Sequence, residues 1–158
     1  MMYSIASLAF TFIYKQPLMT TLTSIEEREL LQTQRSFITV KTLAEQAKAT
    51  FVGISPIDSN APLHQDGFIN DEEVTQLMEL GAVGEIAGWV YDRQGVLIQC
   101  VTNSRVAGVG LEQPAQRLII GIAGGVKKVE SILAALHGKS IAGPIADEVV
   151  AQAILENI

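Results

Sequence analysis

At 158 residues the chain has the length of one ordinary domain with a real core, and 48% hydrophobic against 18% charged residues exclude a disordered chain. A formal net charge of −6, with no basic stripe or recognition-helix pattern, argues against nucleic-acid binding by this stretch. The lone cysteine, Cys100, rules out an internal disulfide framework and agrees with a reducing cytoplasm; with only His64 and His137 beside it there is no metal-ligand cluster.

Met1 to Tyr14 is apolar. It lacks a basic n-region and a small-x-small cleavage site, and it is too short to span a bilayer. Ala6 to Tyr14 therefore reads as a buried strand ending near Gln16-Pro17, and a chain that begins inside a core strand is expected to be part of something longer. Ser24 and Glu27 have capping-box spacing and open a short helix through about Leu31. Ser36 is the expected cap of the next helix, with Phe37, Val40, Leu43, Ala44 and Ala47 on one face. Thr50 to Ile54 is a strand, so a helix leads into a strand as in a parallel sheet with crossovers.

Ser55 to Asn70 has no periodicity, holds two prolines and a glycine, and is long for a mere connection. It carries His64, Asp66 and Gly67. Its alternatives are a surface loop with a turn-forming Asp-Gly pair and a ligand-facing loop. Asn70 and Glu73 form a second capping box, with Val74, Leu77 and Met78 packing inward and Gly81 ending the helix. Ile86 to Tyr91 and Val96 to Cys100 flank Asp92-Arg93-Gln94-Gly95, which predicts a β-hairpin. Glu85 stands beside Gly84 at the start of the first strand, either as a solvated strand end, which local grounds favour, or as a hydroxyl acceptor. Val101 to Gln116 reads as irregular, with Asn103 and Arg105 as its polar features.

Leu118 to Ala123 is a β-branched apolar run, followed by the pair Gly124-Gly125 and then by Val129, Ile132, Leu133 and Leu136 at helical spacing. This is strand, tight turn, helix. The turn brings backbone N–H groups, Lys127 and Lys128 to a helix N-terminus, where an anion is favoured and glycine allows close approach. A packing turn with solvated lysines is the alternative. The spacing is neither a Walker A pattern nor GxGxxG, so no nucleotide site is expected. Ile141 to Ile145 is a last strand, and Asp147 caps a final helix through Ile154-Leu155. There is no internal repeat, low-complexity tract or domain linker.

Gly81-Ala82-Val83-Gly84-Glu85-Ile86-Ala87-Gly88-Trp89, then Tyr91-Asp92 with Gly95, Ile122-Ala123-Gly124-Gly125 with Lys128, and Ala146-Asp147 stand in an order and spacing that resemble the C-terminal, sugar-sensing part of SorC-type (DeoR-like) bacterial transcriptional regulators. The match extends upstream through Asp66-Gly67-Phe68, Val52-Gly53-Ile54 and the helices between Ser24 and Ala47. The resemblance implies an α/β, Rossmann-like domain similar to phosphosugar isomerases, with a mostly parallel sheet flanked by helices and a β-hairpin. It implies a phosphorylated sugar or related metabolite as ligand, bound without chemistry or cofactor in a cytoplasmic homo-oligomer. By the family's pattern Lys128 lies at the effector site beside Gly124 and Gly125, Glu85 contacts ligand hydroxyls, and the loop with His64 and Asp66 lies near the same pocket. Two departures stand out. Glutamate occupies 85 where aspartate is common, which moves the carboxylate by about one methylene, and alanine precedes Asp147 where threonine is usual. The helix-turn-helix and the glycine/threonine-rich phosphate loop of such regulators are missing, so residues 1–158 are expected to form a partial effector-binding domain that reaches DNA only through a domain absent from this chain.

Two other functions are compatible with the sequence. A sugar-phosphate isomerase would use Glu85 as general base and Lys128 to steady the anion, on fold analogy alone. A decayed remnant with no function of its own would expose a sheet edge and a severed core. A domain cut within its sheet should be less stable than a full effector domain, or associate; sharp two-state melting of a monomer at low concentration would refute that expectation.

Overall fold

The computed structural model describes residues 21–111 and 118–158. The strand expected over Ala6 to Tyr14 lies outside them. The chain runs through α1 (Ile25–Thr33), α2 (Arg35–Glu45), β1 (Ala49–Gly53), β2 (Ser55–Pro56), α3 (Pro62–Gln65), α4 (Asp71–Glu79), β3 (Ala82–Ile86), β4 (Trp89–Asp92), α5 (Val101–Ser104), β5 (Leu118–Ile122), a 3-10 turn (Val126–Lys128), α6 (Val129–His137), β6 (Gly143–Ile145) and α7 (Glu148–Leu155).

The strands form two three-stranded sheets. In the first, β5 lies between β1 and β6 and is parallel to both, with Thr50 opposite Ile119 and Gly121 opposite Pro144. In the second, β3 lies antiparallel between β2 and β4. Strand β5 alternates as its pleat requires: Ile119 and Gly121 are buried, whereas Leu118 and Ile122 are about half exposed. Its inward face joins Ile54, Ile86, Tyr91, Ile132, Ile141, Val150 and Ile154 in the main core. A smaller core of Ile57, Leu63, Ile69, Val74, Leu77 and Val90 lies beneath α3 and α4.

Helix α6 adds Ile132, Ala134 and Ala135 to the core beneath the first sheet and is hydrogen-bonded to the second. Ser131 Oγ donates to the Val83 carbonyl at 2.7 Å, and the Tyr91 hydroxyl donates to the Ser131 carbonyl at 3.0 Å. Only glycine fits at position 84, because a Cβ there would stand 2.5 Å from Tyr91 Oη and 2.8 Å from Ser131 Cβ.

Both predicted helix starts with complete signals are present. Ser24 accepts from the Glu27 N–H, although the Glu27 carboxylate bonds the Thr23 N–H rather than Ser24. Asn70 and Glu73 form a full capping box. The free oxygen of Glu73 meets buried Arg105 at 2.5 Å, and Arg105 also donates to the Thr23 carbonyl at 3.2 Å, tying α4 to the chain before α1.

Several expectations need correction. Ser36 does not cap α2: the chain breaks at Gln34, in extended conformation, and Ser36 already lies in the first turn. Met78 is exposed, and of the α2 face only Phe37 is buried. The stretch from 55 to 70 is not wholly loop, because β2 and α3 form within it, α3 beginning on Pro62, whose lost N–H costs nothing at a helix start. Val101–Ser104 is helical within the stretch read as irregular.

The hairpin also turns elsewhere. Strands β3 and β4 pair tightly through Ala87 and Gly88, both at positive φ (51° and 87°), which suits the twist of a two-residue connection. The Asp92–Gly95 turn does form, with Asp92 Oδ1 accepting from Gln94 and Val96 N–H, but its return strand shrinks to one bridge, Tyr91 opposite Leu97. Asn103 takes over that edge. Its side chain accepts from Val90 N–H and donates to the carbonyls of Val90 and Ile98, each at 2.8 Å.

Replacing Asn103 by alanine should leave the buried Val90 N–H without an acceptor and cost about 1–3 kcal/mol. Urea unfolding should show a lower midpoint with an unchanged slope; an unchanged midpoint would remove Asn103 from the edge of β4.

Candidate functional site

Strands β1 and β5 run side by side and end together, and the chain leaves each of them into one wall of a cleft of about 420 Å³. Ser55, Pro56, Asp58, Asn60 and Pro62 form the wall that follows β1. Gly124, Gly125, Val126, Lys127 and Lys128 form the wall that follows β5. In open α/β sheets ligands bind outside the carboxyl ends of the strands, which is this position.

The second wall depends on its glycines. Gly125 has φ +91°, and a Cβ on Gly124 would come within 3.1 Å of Asp147 Oδ2. The Lys128 N–H donates to the Gly125 carbonyl at 3.0 Å, closing the 3-10 turn that leads into α6. Asp147 caps α7 as expected, accepting from Val150 N–H, and its other oxygen accepts from Gly125 N–H. On the first wall Asp58 Oδ1 accepts from Asn60 N–H at 2.7 Å, a side-chain-closed turn that shapes the lip.

Glu85 is 8% exposed, so the solvated strand end favoured on local grounds is corrected to a buried carboxylate. It accepts from Gly88 N–H at 2.9 Å and is hydrogen-bonded by Ser55, its neighbour across the β2–β3 pair. Burial is the strongest influence and raises its carboxyl above the ordinary range; the Gly88 and Ser55 bonds and the Lys128 ammonium pull the other way. Burial, and then the Glu85 charge, also push the Tyr91 hydroxyl upward, so it stays protonated as a donor to Ser131.

Of the residues picked from the sequence, Gly124, Gly125 and Lys128 line the cleft. Glu85 lies behind Ser55, coupled electrostatically to Lys128, and is not itself in the lining. His64 and Asp66 stand away from it. His64 Nδ1 faces the Ser59 carbonyl at 3.1 Å and Nε2 lies 2.7 Å from Asp71 Oδ1, whereas Asp66 is exposed at the end of α3. The coil of α3 carries both of them off the lip. Asp58 and Asn60 line the cleft in their stead and were not singled out, although Asp58-Ser59-Asn60 is a turn signal inside the same loop. A second concavity of about 830 Å³ shares Pro56, Asp58 and Lys127 with the first and opens beside β3 and α6. Among the described residues no group of three His, Cys, Asp or Glu side chains is placed to hold a metal, and no helix is long and apolar enough to cross a membrane.

Residues 1–156 match the family model described as "Putative sugar-binding domain". The chain belongs to this sugar-binding domain family. It is 32% identical over 142 residues to the erythritol catabolism regulatory protein EryD of Brucella abortus, covering 90% of this chain and 45% of EryD. It is 36% identical over 136 residues to the transcriptional regulator LsrR of Klebsiella pneumoniae, covering 84% of this chain and 42% of that protein. Among solved structures it superimposes on a DeoR family transcriptional regulator from Listeria monocytogenes with TM-score 0.78 at 22% identity, over 85% of this chain and 55% of that one. The full-length sorbitol operon regulator SorC of Klebsiella pneumoniae gives TM-score 0.74 at 25% identity, over 86% and 44%. The sugar-binding domain therefore spans about half the length of the curated relatives it matches, and these relatives are named as regulators rather than enzymes.

The buried Glu85 makes a pH prediction. Its folded-state proton affinity is raised above the ordinary value of 4.5, so the stability it contributes is fully present below about pH 4.5 and is lost as pH rises through the folded value. Glu85→Gln, which keeps an acceptor for Gly88, should match the parent near pH 4.5 and melt progressively higher than it toward neutral pH. Thermal melts across that range test this; a constant offset between the two proteins would contradict it.

Proposed function

We propose that this chain is the effector-sensing portion of a SorC-type transcriptional regulator and that its cleft binds a phosphorylated sugar or a related polyol metabolite. Lys128 supplies a compact positive charge for the anionic end of the ligand, and Gly124 and Gly125 keep side-chain bulk out of the wall beside it. Ser55, Asp58 and Asn60 meet hydroxyls. Glu85 orients Ser55 and Lys128 from behind, while His64 supports the lip through the Ser59 carbonyl and Asp66 makes no contact with it. The observation that carries this reading is the opposition of a lysine-bearing glycine turn and a polar lip of Ser55, Asp58 and Asn60 across one cleft at the ends of β1 and β5.

The names of the relatives point the same way: erythritol catabolism for EryD, a sorbitol operon for SorC and deoxyribonucleosides for a Bacillus subtilis regulator 28% identical to this chain. Binding without turnover is sufficient, because a ligand that prefers one arrangement of a homo-oligomer shifts the population toward it. DNA contact falls to a separate domain of the cytoplasmic regulator, since this stretch carries a net charge of −6.

Titration calorimetry with erythritol, sorbitol, ribose 5-phosphate and glucose 6-phosphate tests the proposal. A phosphorylated sugar should bind and raise the melting temperature without being converted. Lys128→Ala should weaken it roughly tenfold or more, as expected for loss of one charge-assisted bond of about 1.5–3 kcal/mol, at near-parental stability. If none of the four binds, or if Lys128→Ala binds ribose 5-phosphate as the parent does, the proposal fails.

A further inference from the structure

The Asp147 carboxylate has one oxygen for each of two segments. Oδ1 accepts from Val150 N–H at 2.9 Å and caps α7. Oδ2 accepts from Gly125 N–H at 2.8 Å, reaching 22 residues back along the chain. Capping a helix needs a single side-chain oxygen, and serine serves as well as aspartate. The second oxygen is therefore surplus to the cap, and its partner is the turn that forms one wall of the cleft. Gly125 in turn accepts from Lys128 N–H, so the path from Asp147 to Lys128 is two hydrogen bonds long. The absence of a side chain at Gly124 keeps this path open, since a Cβ there would lie within 3.1 Å of Oδ2. Both bonds, Val150 first and Gly125 second, hold the Asp147 carboxyl below its ordinary range, so it is charged and a strong acceptor at neutral pH. Asp147 does not line the cleft.

We infer that Asp147 is a positioning residue for the effector cleft: its Oδ2 bond to Gly125 sets the Gly124–Lys128 wall and takes up the Gly125 N–H, leaving the Lys128 ammonium as the main recognition element for the ligand's anion. This rests on the effector reading of the cleft. It also gives the glycine pair a specific task. Gly125 N–H is a donor already satisfied from within the protein, so it is not a free amide for a phosphate. A carboxylate behind the turn disfavours an anion seated directly on the glycines and moves it along the wall toward Lys128.

Two variants separate the cap from the tie. Asp147→Ser retains a capping oxygen for Val150 but has none for Gly125. Asp147→Asn retains the shape while placing either a weaker acceptor or an opposing N–H against Gly125. Amide hydrogen exchange by NMR, melting temperature and ribose 5-phosphate affinity are measured for each. In Asp147→Ser the Val150 amide should stay protected and the melting temperature should change little, while Gly125 exchanges at least tenfold faster and ribose 5-phosphate binds about tenfold more weakly. Combined with Lys128→Ala, the loss should be less than additive, because both changes act on one recognition element. Unchanged exchange at Gly125 in Asp147→Ser overturns the tie. Faster exchange with parental affinity shows a tie that positions nothing and overturns the inference. If the parent protein binds none of erythritol, sorbitol, ribose 5-phosphate and glucose 6-phosphate, the effector reading is what has failed, and exchange at Gly125 still decides whether Asp147 holds the turn; if it binds another of the four instead of ribose 5-phosphate, the affinities are measured with that compound.

Discussion

Helix α6 is packed against both sheets, and the arrangement of the cleft follows from the way it is held. One residue, Ser131, grips the second sheet twice, through its hydroxyl to Val83 and through its carbonyl to Tyr91. That grip requires Tyr91 to be buried beside a strand with no side chain at position 84. With α6 held in this way, the 3-10 turn at its start places Lys128 at the ends of β1 and β5. The same helix closes the far end, where Gly95 and Gly138 pass so closely that a Cβ on either would meet the backbone of the other. Dense packing transmits position: a change beneath the helix is felt at the turn that precedes it.

The polar groups around the cleft fall into an inner and an outer set. Glu85 and Tyr91 are inner; burial raises the proton affinity of both, and each is hydrogen-bonded within the protein. Asp147 is outer, and hydrogen bonds to backbone N–H groups keep it ionised. The two carboxylates thus bracket the lysine-bearing turn with opposite tendencies, one drawn toward the neutral form by desolvation and one held charged by donors. Lys128 lies between them, coupled to Glu85 through space and to Asp147 through Gly125.

Local signals in the chain hold wherever one side chain completes one backbone end. The caps at Ser24, Asn70 and Asp147 are all in place, because a capping residue and its N–H partners are neighbours in sequence. The strand, glycine pair and helix around 124–125 follow for a similar reason: periodicity and turn chemistry act within a few residues. Ser36 shows the limit, since the helix starts from Gln34, which makes no side-chain cap, and Phe37 is its buried residue. The hairpin shows it again. Asp92–Gly95 is a true turn, and the segment after it bonds β4 only from Val96 to Ile98, beyond which the side chain of Asn103 links Val90 and Ile98 from a position that depends on how α5 folds back.

By itself the sequence determined the family, the parallel strands reached by crossover, and the glycine turn with Lys128 at a helix start. These rest on residue order and short-range geometry, which survive in one dimension. Only the tertiary structure decided which residues meet. It buried Glu85 behind Ser55, turned His64 toward Ser59 and Asp71, brought Asp58 and Asn60 to the lip, and joined Asp147 to a glycine 22 residues away. The reason is physical: burial and hydrogen bonding between distant segments depend on how the two sheets and α6 pack, and no local spacing encodes that.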